Sequence, residues 1–368
     1  GKDEDDEDEE DISEEDIAED SPIAQTVNLI IEYAVKSGAS DIHIEKYQDL
    51  CLFKFRVDGR LRIFFSFDEE LFRVFSSFVK LISNLDMTQI RLALDGRFSR
   101  NINDKKYDFR LSTMPTIQAE SIVLRILDNK NIDKRLDDLG LSQNIYEDLK
   151  DVLKFTQGLI LISGPTGSGK TTTLYSILKE LNSDDKKIIT VEDPIEYKID
   201  SINQVPINNK VGLSFELVLK NILRQDPDII FIGEIRDKFS LDIALQASLT
   251  GHLVLASIHA SSSVETITRL IDLKADPFLI STTLKAVMAQ RLVLAHCKSC
   301  ENGCKKCNFT KFYDRTSISE ILKVDEQISS LIFNKASFNE LKEYLKNINF
   351  KTMLEKKKKK VKDGLTTL

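Results

Sequence analysis

The residues Gly164 to Thr171 read GPTGSGKT and follow the apolar run Leu159-Ile160-Leu161-Ile162. A glycine-rich turn between a buried strand and a helix is a cradle for phosphate. Gly164, Gly167 and Gly169 tolerate backbone angles that turn successive N–H groups inward, and the helix that follows adds its positive end. The ligand for this shape is a nucleoside triphosphate such as ATP. Lys170 brings a point charge to the β- and γ-phosphates, the Thr171 hydroxyl offers a ligand to Mg2+, and Pro165, Thr166, Ser168 and Thr172 complete the loop.

Phosphoryl transfer also needs a group that orients or activates water. An ordinary phosphate-loop ATPase ends its second signature strand in Asp, but here Ile229 to Ile232 runs into Gly233 and Glu234, so Glu234 is the candidate. Glu192, after the neighbouring strand, could position water or the magnesium shell; the alternative is that it caps the turn beside Pro194 or pairs with an Arg. His259 closes the strand Leu253 to Ile258, where it could sense a γ-phosphate. His252, at the other end, reads as structural or interfacial, because an odd interval puts the two on opposite faces of one strand.

Four of the five cysteines, Cys297, Cys300, Cys304 and Cys307, fall in CKSCENGCKKC. Two CxxC knuckles favour thiolate-bound zinc over free thiols or an iron–sulfur cluster, with Gly303 permitting the tight return between them and no ligand position left open. Cys51, alone in an apolar strand, reads as core.

The elements that must position these groups follow from periodicity. From Leu159 onward strands and helices alternate, with strands expected at Leu159 to Ser163, Ile188 to Val191, Ile229 to Ile232 and Leu253 to Ile258, which implies a parallel sheet covered on both faces. Ligands of such sheets bind beyond the carboxyl ends of the strands. Upstream, helical spacing over Ile23 to Val35 ends near Gly38, and an antiparallel pair turning at Asp58-Gly59 spans Asp41 to Phe67. A second helix runs from an Asp68 cap to Leu85. Three strands then follow at Asp95 to Ser99, Tyr107 to Thr113 and Ser121 to Leu127. The expected division is an acidic disordered tail over 1–20, an α+β domain over 21–128, a linker over 129–135 with a helix after it ending near Gly158, and an α/β ATPase domain over 136–368 that includes the zinc segment 297–307.

With 368 residues and 42% hydrophobic content, the chain can bury two cores. Its net charge of −8 hides an asymmetry, since the first twenty residues hold fourteen acids and one Lys while the remainder is net positive. The run Lys356 to Lys360 reads as a solvated helix end or tail rather than a nucleic-acid or anionic-lipid site. There is no Trp and no basic groove with interleaved aromatics, which argues against nucleic acid as a partner. No apolar run approaches the ~20 residues that span a bilayer, and the start lacks a signal-peptide pattern, so the chain is expected to be cytoplasmic with no direct membrane span.

Together with GPTGSGKTTTLY, the segments TVEDPIEY (Thr190 to Tyr197), ILRQDPDIIFIGEIRD (Ile222 to Asp237) and TGHLVLASIHA (Thr250 to Ala260) resemble the GspE/PilB family of secretion and pilus-assembly ATPases. The likeness continues in VNLIIEYAVKSGASDIHIE, RVDGRL, DGRFSR, MAQRLV and the cysteine knuckles, covering about Pro22 to Glu320. It implies a RecA-like phosphate-loop domain preceded by a smaller α+β, PAS-like domain. It also implies a hexamer, peripheral at the inner membrane, that spends ATP on a pseudopilus or pilus through a membrane platform protein and a membrane-anchored docking protein. Members commonly carry a further amino-terminal domain that nothing here matches. The resemblance supports Glu234 and Glu192 as site residues and implies that Arg97 and Arg110 reach the triphosphate when two domains close; Arg125 lies in a similar segment but is not counted among the site residues. The spacer Glu301-Asn302-Gly303 is shorter than the family's usual separation of knuckles. Retraction motors of similar sequence generally lack the knuckles; a retraction motor and a nucleic-acid translocase remain the alternatives.

Overall fold

The computed structural model describes residues 22–47, 50–127, 134–307 and 309–367. The acidic stretch 1–20 and residues 129–133 of the expected linker lie outside them. The described residues fall into two compact units, divided between Asn129 and Lys130.

The first unit contains α1 (Pro22–Lys36), β1 (Ala39–Tyr47), β2 (Leu50–Val57), β3 (Arg60–Phe67), α2 (Glu69–Ile82), β4 (Leu94–Ile102), β5 (Lys105–Pro115) and β6 (Glu120–Leu127). Its strands form one antiparallel sheet in the order β3-β2-β1-β6-β5-β4. The expected pair over Asp41 to Phe67 is three strands, because the chain also reverses between Tyr47 and Leu50, which pair with each other. No Gly or Pro marks that reversal, so the sequence reads straight through it. Asp58 and Gly59 make the other turn with φ of 51° and 82°, as a two-residue hairpin requires. Asp68 caps α2 by accepting from Leu71 N.

Both helices bury one stripe against one sheet face, where Val27, Ile31, Phe75 and Phe78 meet Ile42, Phe53, Phe55, Phe109 and Leu124. Alternation sends the intervening residues to the other face. Register there sets Arg97 opposite Arg110, Arg110 opposite Arg125, Arg125 opposite Asp41 and Asp41 opposite Arg56. Asp41 sits between two arginines of this row, taking Arg125 Nε at 2.9 Å and Arg56 Nε at 3.7 Å.

The second unit begins its regular structure with α3 (Gln143–Val152), β7 (Gly158–Ser163), α4 (Lys170–Leu181), β8 (Ile188–Glu192) and β9 (Asn203–Pro206). There follow α5 (Phe215–Ile222), β10 (Ile229–Ile232), α6 (Lys238–Leu249), β11 (Leu253–Ile258), α7 (Ser263–Asp272) and α8 (Pro277–Thr283). It closes with β12 (Leu284–His296), β13 (Phe312–Lys323), α9 (Glu326–Phe333), α10 (Phe338–Asn347) and α11 (Met353–Lys362). The seven strands run β13-β12-β7-β11-β10-β8-β9, parallel except for β12 with β13. Helices cover both faces. Ile145, Leu149, Leu174 and Leu178 of α3 and α4 pack on Ile160, Ile162, Phe231 and Leu255. Val218, Leu245, Ile267 and Ile280 of α5 to α8 pack on Leu159, Leu161, Ile232 and Val254. Being buried on both sides is what makes β7, β10 and β11 continuous apolar runs.

Three expectations need correction. The helix expected to end near Gly158 is α3, which stops at Val152, and Gly158 is the first residue of β7. The Lys356 to Lys360 run lies in a helix, as one of the two expected forms had it, but is only partly solvated: it makes up half of α11, whose Lys360 Nζ donates to Thr316 Oγ1 at 2.8 Å, Ser317 O at 2.7 Å and Gly140 O at 3.3 Å. Burial lowers the pKa of both Lys356 and Lys360. The strands β9, β12 and β13 join the four foreseen ones. Among the described residues no helix is long and apolar enough to cross a membrane.

Candidate functional site

The chain leaves β7 at Ser163 and enters α4 at Lys170. Gly164 has φ of +154°, and a Cβ there would lie 2.4 Å from both Gln290 O and Ser168 Oγ, so a side chain would collide with β12 and with the loop itself. Gln290, buried on β12, props the loop from behind. Its Nε2 donates to Ser168 O at 2.9 Å and its Oε1 accepts from Thr173 Oγ1 at 2.9 Å. Lys170 Nζ donates to Gly164 O at 2.7 Å and Pro165 O at 3.1 Å, and burial lowers its pKa from the ordinary lysine value. Thr166 to Thr172 line an open cleft of about 800 Å³, of the size that takes a nucleotide-sized ligand.

Glu192, Glu234 and His259 line the same cleft, because β8, β10 and β11 lie side by side and end together. Glu234 is held by cationic and imidazole donors: Arg236 Nε at 2.7 Å from Oε2 and His259 Nε2 at 2.9 Å from Oε1. Glu192 is held otherwise. Its Oε1 accepts from Thr190 Oγ1 at 2.6 Å and Gln204 Nε2 at 3.2 Å, and its Oε2 accepts from the Tyr175 hydroxyl. Among the described residues no Arg pairs with it, which removes the ion-pair alternative. Burial raises its pKa, against the opposing pull of the Thr190, Tyr175 and Gln204 bonds.

The structure thus brings together Lys170, Thr171, Glu192, Glu234 and His259. It places Arg97 and Arg110 in the first unit, within the row described above. His252 lies elsewhere, its Nδ1 donating to Ala247 O at 3.0 Å at the carboxyl end of α6. Sequence reasoning missed Gln290, Tyr175, Gln204 and Arg236 as partners of the site. Gln290, Tyr175 and Arg236 stood inside quoted motifs and Gln204 between two of them, but only the fold shows whom each touches.

The four cysteine sulfurs lie within 4.8 Å of one another. The distances are 4.0 Å for Cys297 to Cys304, 3.6 Å for Cys300 to Cys307 and 3.8 Å for Cys304 to Cys307. Tetrahedral zinc with ~2.3 Å bonds places sulfurs ~3.8 Å apart, so this cluster fits a metal ion of that kind. Gly303, at φ of +105°, makes the short return possible, since a Cβ there would lie 2.9 Å from Phe309 O. The Cys304 N–H pulls the Cys307 thiol down to about 6, whereas burial, and after it hydrogen bonding with the neighbouring thiols, pushes Cys300 up to about 12.

The family Type II/IV secretion system protein matches residues 16–368. Type II secretion system ATPase E of Vibrio cholerae serotype O1 is 39% identical, over 95% of this chain and 74% of its own length. Type II secretion system protein HxcR of Pseudomonas aeruginosa is 38% identical, over 95% of this chain and 76% of its own. Among solved structures, the pilus retraction motor PilT with bound ADP aligns with a TM-score of 0.66 at 27% identity, covering 92% of this chain and 94% of that one. The Legionella pneumophila ATPase DotB shares the fold, with a TM-score of 0.75 at 24% identity over 93% of each chain.

Proposed function

We propose, for a chain that belongs to the Type II/IV secretion system protein family of ATPases, that it hydrolyses ATP to power assembly of a type II secretion pseudopilus. It works as a homo-hexamer, peripheral at the cytoplasmic side of the inner membrane, on a membrane platform protein and a membrane-anchored docking protein. The observation that carries this reading is the convergence of Lys170, Thr171, Glu192, Glu234 and His259 on one cleft. The type II names of the relatives and the paired knuckles support assembly. Retraction is the second reading, favoured by the alignment with PilT.

In this reading Lys170 exchanges its two loop carbonyls for β- and γ-phosphate oxygens, while α4 presents its amino end to them. Mg2+, with the Thr171 hydroxyl as one ligand, would neutralise charge on the same oxygens. Glu234 accepts the proton of the attacking water as its oxygen bonds to the γ-phosphorus and the bond to the ADP oxygen breaks, giving ADP and inorganic phosphate. His259 steadies the other carboxylate oxygen. Arg97 and Arg110 are proposed to add positive charge to the reaction. Cys297, Cys300, Cys304 and Cys307 would hold Zn2+ as a closed structural site.

The test is steady-state ATP turnover and light scattering of the full chain in Mg2+ and ATP. Six copies are expected, with turnover lost in Lys170→Ala and lowered without unfolding in Arg110→Ala. Strong stimulation by DNA that fades with salt would replace the motor by a translocase. Metal analysis should find one zinc per chain, and a folded, metal-free protein would defeat that assignment.

A further inference from the structure

Tyr175 sits on α4 four residues after Thr171, one helical turn beyond the end that grips phosphate. It is 1% exposed, and its ring stands edge-on to Tyr197 at 4.4 Å and to Phe231 at 6.2 Å. Two groups share its hydroxyl. Glu196 N donates to the phenol oxygen at 3.3 Å, and an amide N–H can only donate, so the phenol proton is directed to Glu192 Oε2. Burial raises the Tyr175 pKa and Glu192 adds to the effect, so the phenol keeps that proton.

Thr190 and Gln204 reach the other oxygen, so Tyr175 is the donor that comes from the phosphate-gripping helix. Thr190 belongs to β8 itself and Gln204 to its neighbour β9. The carboxylate is therefore tied on one side to its own sheet and on the other to α4. A buried tyrosine needs a partner for its hydroxyl, but a main-chain carbonyl would serve that need. Its donation instead to a carboxylate lining the nucleotide cleft is the observation to explain.

We propose that Tyr175 is a positioning residue of the ATPase reaction: it fixes the Glu192 carboxylate to α4, so that the start of this helix and the carboxylate move as one unit. The proposal rests on the reading of Glu192 as a group that acts on water or the magnesium shell. Tyr175 makes no contact with nucleotide in this scheme and acts only through Glu192.

The experiment is a double-mutant cycle in the full chain, with Tyr175→Phe, Glu192→Gln and the double variant. It measures kcat and KM for MgATP, with thermal melting as the check on folding. Tyr175→Phe is expected to lower kcat by about tenfold with KM held within about twofold. Glu192→Gln lowers kcat at least as far, and the double variant matches Glu192→Gln alone, since a residue acting only through another has nothing left to position. Losses that multiply in the double variant, or an unchanged kcat in Tyr175→Phe, overturn the proposal while leaving Glu192 in the site. A wild-type kcat in Glu192→Gln instead removes Glu192 from the reaction and the proposal with it, whatever Tyr175→Phe shows. Should Tyr175→Phe alone prove unstable, its effect within the Glu192→Gln background, where no buried charge loses a donor, still decides: equal kcat supports the coupling and a further fall defeats it.

Discussion

β8 and β10 are neighbours in the sheet and each delivers a glutamate to one cleft, yet the two carboxylates are held by opposite means. Glu192 is 3% exposed and bonded by two hydroxyls and an amide. The Glu234 side chain is 22% exposed and bonded by a guanidinium and an imidazole. Neutral donors orient a charge without cancelling it, whereas a cation beside a carboxylate competes with any other positive group or proton it could take. Exposure adds to the contrast. Arg236, 64% exposed, can swing into solvent at little cost, while displacing Tyr175 would mean opening the core. Glu234 is thus the group equipped to change partners during turnover, and Glu192 the one equipped to stay still.

The largest expected effect is at the mobile member. Glu234→Gln keeps the size and one acceptor but cannot take a proton, and a positioned general base contributes about 10²–10⁴-fold. We expect kcat to fall within that range with ATP affinity unchanged, a deeper loss than Glu192→Gln causes. If Glu192→Gln proves the deeper loss in steady-state assays, the two roles must be exchanged.

A smaller effect is expected from Arg236→Ala, which leaves Glu234 with its His259 tether alone. Loosening one of two supports of a reacting group should lower kcat by roughly tenfold or less and leave KM for ATP in place. A rise in kcat would identify the guanidinium as a brake on Glu234, and an unchanged value would make their bond an incidental surface pair.

Much of this contrast was out of reach of the sequence, for a reason that differs from residue to residue. The phosphate loop and the strands β7, β10 and β11 were legible because local rules specify them: glycine placement in the first case, uninterrupted burial in the others. Glu234 and Glu192 were legible as strand-end acids. Their partners were not. Thr190 lies two residues from Glu192, but Tyr175 is 17 residues away and Gln204 is 12, and Gln290 reaches Thr173 across 117. β12 was overlooked although MAQRLV was noted, since Lys285, Gln290 and Arg291 break its apolar pattern. β9, only NQVP, is too short and polar to stand out. The lysine run misled because charge suggests solvent, while Lys360 buries its stem and spends its ammonium on acceptors around β13.

The smallest expected effect concerns stability rather than rate, and it tests the immobile member. Burial raises the pKa of Glu192 above its ordinary 4.5, so the folded chain binds this proton more tightly than the unfolded chain. The resulting stabilisation is complete below pH 4.5 and is lost as pH rises through the folded value, where the unfolded state releases its proton first. Above that window the native protein carries a buried charge on neutral donors, and Glu192→Gln removes the charge while keeping an acceptor for the Tyr175 hydroxyl. The variant should therefore gain on the wild type as pH is raised from acid to neutral. A difference of about 1 kcal/mol amounts to ~2–4 °C in the melting of a unit this size. Melting curves that stay parallel across the range would mean that Glu192 titrates alike folded and unfolded, and the distinction between the two carboxylates would then rest on geometry alone.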